Sequence, residues 1–184
     1  MSASVTVAIS PPDLAALVAT AAYVASAAAE GAAQALRDSW TARSMATRDR
    51  PGWSHTGYWQ DASESVRAEP EGDHALVLAD KEGVRLRWKG GIVRPVNAKR
   101  LAIPLKPEVQ GVNPREGTIA DLFVVASKKA GRAVLAGKGA GGKVRAYWLL
   151  LSSTTHFPDS TVVPLDAMAS SALDWAREAA LAPR

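Results

Sequence analysis

Five sets of residues in this chain have types that could do chemistry. Gly137–Lys143 reads GKGAGGK and fits the G-x-x-x-x-G-K part of a phosphate-binding loop. Such a loop needs a Ser or Thr after the Lys to hold Mg²⁺, and it must open a helix. Val144 stands in the Ser/Thr place, and the run VRAYWLLL that follows reads as a strand, so the segment is expected to be a hairpin tip. Ser152, Ser153, His156 and Asp159 are triad residue types on one short segment, whereas triads are assembled from separated segments. Their crowding points to turns and caps. His55, His74 and His156 lack metal-ligand spacing. Asp61, Glu64, Glu69, Glu71 and Asp73 lack a Ca²⁺-loop pattern and read as a solvated acidic hairpin. No catalytic, cofactor or metal residues are expected.

Basic residues are the fifth set. Arg85, Arg87, Lys89, Arg94, Lys99, Arg100 and Lys106 fall within 83–107 without an acid, and Lys128, Lys129, Arg132, Lys138, Lys143 and Arg145 within 127–145 without one. Together they are 13 of the 22 Lys and Arg residues. Such clusters suit phosphates, bound in a salt-dependent and sequence-independent way, or an acidic protein surface. No helix-turn-helix, zinc-finger or ribonucleoprotein motif accompanies them. The net charge of +4 hides a split: residues 1–82 sum to −5, 83–158 to +11 and 159–184 to −2. A basic middle between acidic ends suits head-to-tail packing of like subunits, or a polyanion held by the middle.

Composition bounds the rest. At 184 residues the chain is expected to form a single domain over 1–184, with 1–12 as an extended arm. Without cysteine there are no disulfides or thiolate metal sites. The first basic residue is Arg37, so a positively charged signal-peptide start is missing. Leu14–Ala29 is uncharged but shorter than the roughly 20 residues a membrane span needs, so no membrane contact is expected. Six Trp against two Phe favours surfaces where an apolar body needs a polar edge.

The elements that must position these groups read in order as follows. Ser10-Pro11-Pro12-Asp13 starts a helix. Leu14, Leu17, Val18, Ala21, Val24, Ala25, Ala28, Ala32, Leu36 and Trp40 form its apolar stripe to about Arg48, and Gly31 weakens it without ending it. Tyr58–Ser65 begins a turn or strand whose aromatics either anchor a partner or cover the helix. Ser65–Glu69 and Ala75–Ala79 are strands joined by Pro70-Glu71-Gly72-Asp73. Gly83–Lys89 is a short helix or strand. Gly90-Gly91 is a tight bend, Ile92–Arg94 and Leu101–Leu105 are ribbons, and Asn97–Arg100 is a basic turn between them. Lys106–Gly117 is a polar loop, Ile119–Ala126 a buried strand, and Ala133–Ala136 and Val144–Leu151 strands around Gly137–Gly142. Asp166 caps a final helix with Met168, Ala172, Leu173, Trp175, Ala176 and Ala179 as its apolar side. Strands gathered between two helices argue an α+β fold: a long N-terminal helix, a mostly antiparallel sheet of about five or six short strands, and a C-terminal helix.

The stretch Gly90-Gly91-Ile92-Val93-Arg94-Pro95, followed by Lys99-Arg100-Leu101-Ala102-Ile103-Pro104-Leu105, resembles the GG-x-I-x-P … A-L-A-I-P-L signature of phage virion-morphogenesis proteins, the Mu gpG-like tail-completion proteins and their tail-component relatives. Thr56-Gly57 with Ser63 to Ser65, the Leu122–Val125 run and Tyr147–Leu151 with Phe157-Pro158 are similar to further motifs in the same order. Trp88-Lys89 departs from the family's H-Q-F, and Asp159-Ser160 from its R-P. The resemblance implies a structural neck protein without enzymatic activity or cofactor, assembled in the host cytoplasm into the virion. It implies a ring, commonly hexameric, that meets connector and tail-tube proteins while DNA passes through the lumen. The residues alone leave a second class open, a basic nucleic-acid-binding module without ring assembly. In either case the expected contact residues, toward protein or lumen DNA, are Arg85, Arg87, Trp88, Gly90, Gly91, Arg94, Lys99, Arg100, Lys128, Lys129, Lys138 and Lys143.

Overall fold

The structure is a computed structural model that describes residues 11–46, 52–54, 56–71, 74–117, 119–126, 132–139 and 142–182, with the side chains of the first helix described from Val18 onward. The expected arm before Pro11, the hairpin tip Gly72-Asp73, and Lys128 and Lys129 lie outside the described residues. The fold is α+β, with a long N-terminal helix, among the described residues eight short strands that all pair antiparallel, and a C-terminal helix. The chain divides into two compact units: 1–46 with 57–84 and 160–184, and 47–56 with 85–159.

The first unit is organised on helix α1, Pro11–Ala46, about 54 Å long at 1.5 Å per residue. Its buried apolar side chains are Ala29, Ala33, Leu36 and Trp40, spaced four, three and four apart, and Gly31 is buried among them. That stripe lies one residue beyond the expected one in its middle: Ala28 and Ala32 are half-buried and Ala21 is exposed. In a run this rich in alanine, small residues occupy every face, so composition does not mark the buried one. Helix α4, Leu165–Leu181, packs against α1. Gly31 permits the approach, because a Cβ there would lie 2.6 Å from the Ser171 carbonyl oxygen and 2.8 Å from Trp175 Cγ. Trp40 is 1% exposed, and its Nε1–H donates to the Val162 carbonyl at 2.6 Å. The N-cap position of α4 is Pro164, so Asp166 sits in the first turn rather than at the cap, where it still favours the positive helix end. Leu173, expected on the packed side, is 70% exposed.

Tyr58–Glu64 forms helix α2 rather than a strand. Trp59 is buried with its ring centroid 6.1 Å from that of Trp40, and the Arg43 guanidinium lies 4.8 Å above it. Of the two readings for these aromatics, covering α1 is the one observed for Trp59. The acidic hairpin follows as β1, Val66–Glu71, and β2, His74–Ala79, in a register that leaves a two-residue connection. Arg67 hydrogen-bonds Glu69 and Asp80, and these partners hold its guanidinium above the ordinary arginine value.

The second unit contains most of α3, Val84–Lys89, and strand β3, Gly91–Val93, which pairs with β8, Thr154–His156. Its main sheet has the order β4-β7-β6-β5, with β4 at Leu101–Pro104, β5 at Phe123–Ala126, β6 at Arg132–Lys138 and β7 at Val144–Leu151. Pro104 is tolerated because β4 is an edge strand. An irregular register places Tyr147 as an extra residue on β7 opposite Leu135 and Ala136. Tyr147 and Trp148 then join Val109 in one core cluster, with Val112, Ile119, Leu122 and Leu135 packed against it. Val109, in a stretch expected to be a polar loop, is fully buried, at the end of a 3-10 turn that begins at Pro107.

Strand β5 corrects the expected buried strand at Ile119–Ala126. Only Phe123–Ala126 is extended, it lies at the sheet edge, and Phe123, Val124 and Val125 are 42%, 62% and 45% exposed. A continuous apolar run reads as doubly covered, yet here it carries one covered edge and one open one.

Candidate interaction surface

The bend at Gly90-Gly91 is fixed by the chain's own packing. Gly90 has φ +70°, and a Cβ on it would fall 2.8 Å from the His156 carbonyl oxygen and 2.8 Å from the Pro158 nitrogen. Gly91 has φ +152° and starts β3 opposite His156. The Asp159 N–H donates to the Arg87 carbonyl at 3.0 Å, which anchors α3 beside the same segment. Around it, Arg85 and Arg87 are exposed on α3, Trp88 is half-buried with the Lys89 ammonium 3.6 Å above its ring, and Arg94 is exposed after β3. His156 therefore belongs to a strand pair, and Asp159 contributes its backbone to the α3 anchor.

The second basic cluster is divided between the two ends of β7. Arg132 pairs with Leu151, which on its other side pairs with Leu101, next to Lys99 and Arg100, whereas Lys138 pairs with Val144 at the start of β7, beside Lys143. The length of β7 separates the two places by roughly 24 Å at 3.4 Å per residue. At the Val144 end the hairpin tip closes by Gly139 N–H to the Lys143 carbonyl and Gly142 N–H to the Gly139 carbonyl, both 3.0 Å. Lys138 there faces Asp121 at 3.5 Å. Lys143 leads into strand β7, as expected, and not into a helix.

At the other end, Lys99 and Arg100 join a residue that was not singled out in the sequence. They line a groove of about 520 Å³ with Arg115. Arg115 is held in a 3-10 turn, Pro114–Glu116, whose Asn113 side chain accepts the Arg115 N–H at 3.1 Å. The floor is apolar and crosses the whole sheet: Ala102 of β4, Leu150 of β7, Leu135 of β6 and Val124 of β5. Ala102 pairs with Leu150, and Leu135 with Val124, so these side chains share one face. The described lining residues include three cations and no carboxylate. That positions 102, 124, 135 and 150 would form one floor depends on strand order, which single-strand patterns do not carry.

Among the described residues, no group of three or more His, Asp or Glu is placed to hold a metal ion, and no helix is long and apolar enough to cross a membrane. Counted over their sequence ranges, the first unit carries 6 basic and 13 acidic residues, and the second 16 and 5. The charge split along the chain therefore follows its division into units, −7 and +11.

Comparison of the chain with family models, with curated proteins and with solved structures gives no match in any of the three.

Proposed function

We propose that this chain is a structural subunit of the bacteriophage neck, a tail-completion or tail-terminator-like protein that forms a ring with copies of itself, six-fold by analogy with the family it resembles. In this reading it has no catalytic activity and no cofactor. It sits in the virion between connector and tail-tube proteins, with DNA passing through the lumen and touching basic side chains without sequence preference.

The observation that carries the reading is the separation of charge into two compact units. A heterologous, head-to-tail contact puts a different surface of each subunit against the next, and it closes into a ring when the rotation fits. Opposite net charge on the two units favours that contact over like-to-like pairing. The order of elements also supports it, since the helix, hairpin, Gly-Gly bend, sheet and closing helix follow the order of the resembled motifs.

The test is imaging of particles assembled without this protein. Long, uncontrolled tails indicate a terminator, and separate heads and tails indicate a joining protein. Normal, infectious particles without it would overturn the reading. The +11 unit also favours a second reading, a nucleic-acid-binding module. That reading requires a monomer whose salt-dependent binding to duplex DNA is lost when Arg94, Lys99 and Arg100 are replaced together.

A further inference from the structure

We infer that the cationic groove of the second unit is the acceptor for helix α4 of a second copy of this chain. The inference rests on the ring-subunit reading and names the two surfaces that meet.

The groove states what it can take. Its floor of Ala102, Leu122, Val124, Leu135 and Leu150 rewards apolar side chains, and Val124 is 62% exposed there. Its rim of Lys99, Arg100 and Arg115 requires negative charge, because no described lining residue is acidic. Phosphate alone would satisfy the rim and leave the floor wet. An occupant with leucines between carboxylates satisfies both.

The outer face of α4 has that composition. Leu173 and Leu181 are 70% and 77% exposed, so the packing of α4 on α1 leaves them uncovered. Asp166 and Asp174 are exposed on this face, Glu178 is exposed at its border with α1, and Arg177, the one cation of the described helix, lies between the two leucines. The inner face, through Ser171 and Ala179, is held against α1, so α4 presents its outer face as part of a fixed two-helix layer. A helix laid into a groove through leucines two turns apart is a standard recognition mode. It also places a unit of net −7 on a unit of net +11, and because donor and acceptor differ the contact propagates from copy to copy.

The experiment uses the full chain and measures mass by light scattering and sedimentation. The acceptor variant is R100E with R115E, and the donor variant is L173E with L181E. Wild type is expected to form assemblies of several subunits, and each variant alone to stay at 19.3 kDa. An equimolar mixture is expected to give dimers and nothing larger, because one intact donor and one intact acceptor remain. Unchanged thermal melting shows that each variant folds. If a variant fails to fold, K99A with R115A, or D174K alone, replaces it and is expected to weaken assembly at least about tenfold at low salt. Wild-type-sized assemblies from the variants would overturn this docking while leaving the ring reading standing. Loss of short duplex DNA binding with unchanged assembly would assign the groove to nucleic acid and overturn it too. A wild type that is monomeric at every concentration would overturn the ring reading itself.

Discussion

A methyl group at Gly31 would meet the Ser171 carbonyl oxygen at 2.6 Å, so α1 and α4 approach this closely here because this side chain is missing. In an open helix Gly→Ala gains about 1 kcal/mol. Here the clash is with backbone that cannot move without moving α4, and overpacking of this kind costs about 1–3 kcal/mol. Gly31→Ala is therefore expected to lower stability by about 1–2 kcal/mol in urea unfolding, and a stabilised variant would show that the helices can move apart. Trp40→Phe removes the donor to the buried Val162 carbonyl and leaves a smaller ring in a fully packed place. Its expected cost is about 2–4 kcal/mol. At Gly90 the sequence suggested a bend free to meet a neighbour. The φ of +70° and the 2.8 Å approach to residues 156 and 158 assign the bend to the monomer. Gly90→Val is expected to destabilise the isolated chain by at least about 2 kcal/mol, and normal stability with lost assembly would return the bend to the interface.

At the scale of elements, β5 shows where pattern reading stops. Leu122–Val125 has no alternation, so periodicity does not say which side is covered, and the continuous apolar run suggests burial. Its exposure comes from strand order, since β5 has β6 on one side and ends the sheet on the other. The hairpin β1–β2 was legible because its turn chemistry and its strands lie together in sequence. Val109 was not, because a residue between prolines and glycines becomes core only when Tyr147 and Trp148 arrive beneath it from β7. The groove shares that origin. Lys99 and Arg100 were legible as a basic turn, and Arg115 joined them only through the loop that folds over the sheet. An open apolar edge also invites association. Val124→Lys places a charge on that edge and in the groove floor, and it is expected to reduce concentration-dependent light scattering while shifting the melting midpoint by no more than a few degrees.

For the whole molecule, the charge split is present in the sequence, and the fold gives it its meaning. The acidic ends of the chain come together as one compact unit, and the basic middle forms the other. Units of −7 and +11 attract between molecules over about a Debye length, roughly 10 Å at 0.1 M salt and 3 Å at 1 M. Assembly through them must weaken as salt rises, whereas an interface held by apolar contact alone would persist or strengthen. The most direct measurement is the mass of the purified full-length chain in solution, taken by light scattering from low to high salt. The account predicts discrete multiples of 19.3 kDa at low salt that dissociate toward the single chain as salt is raised. A species of 19.3 kDa at every salt and protein concentration would contradict it.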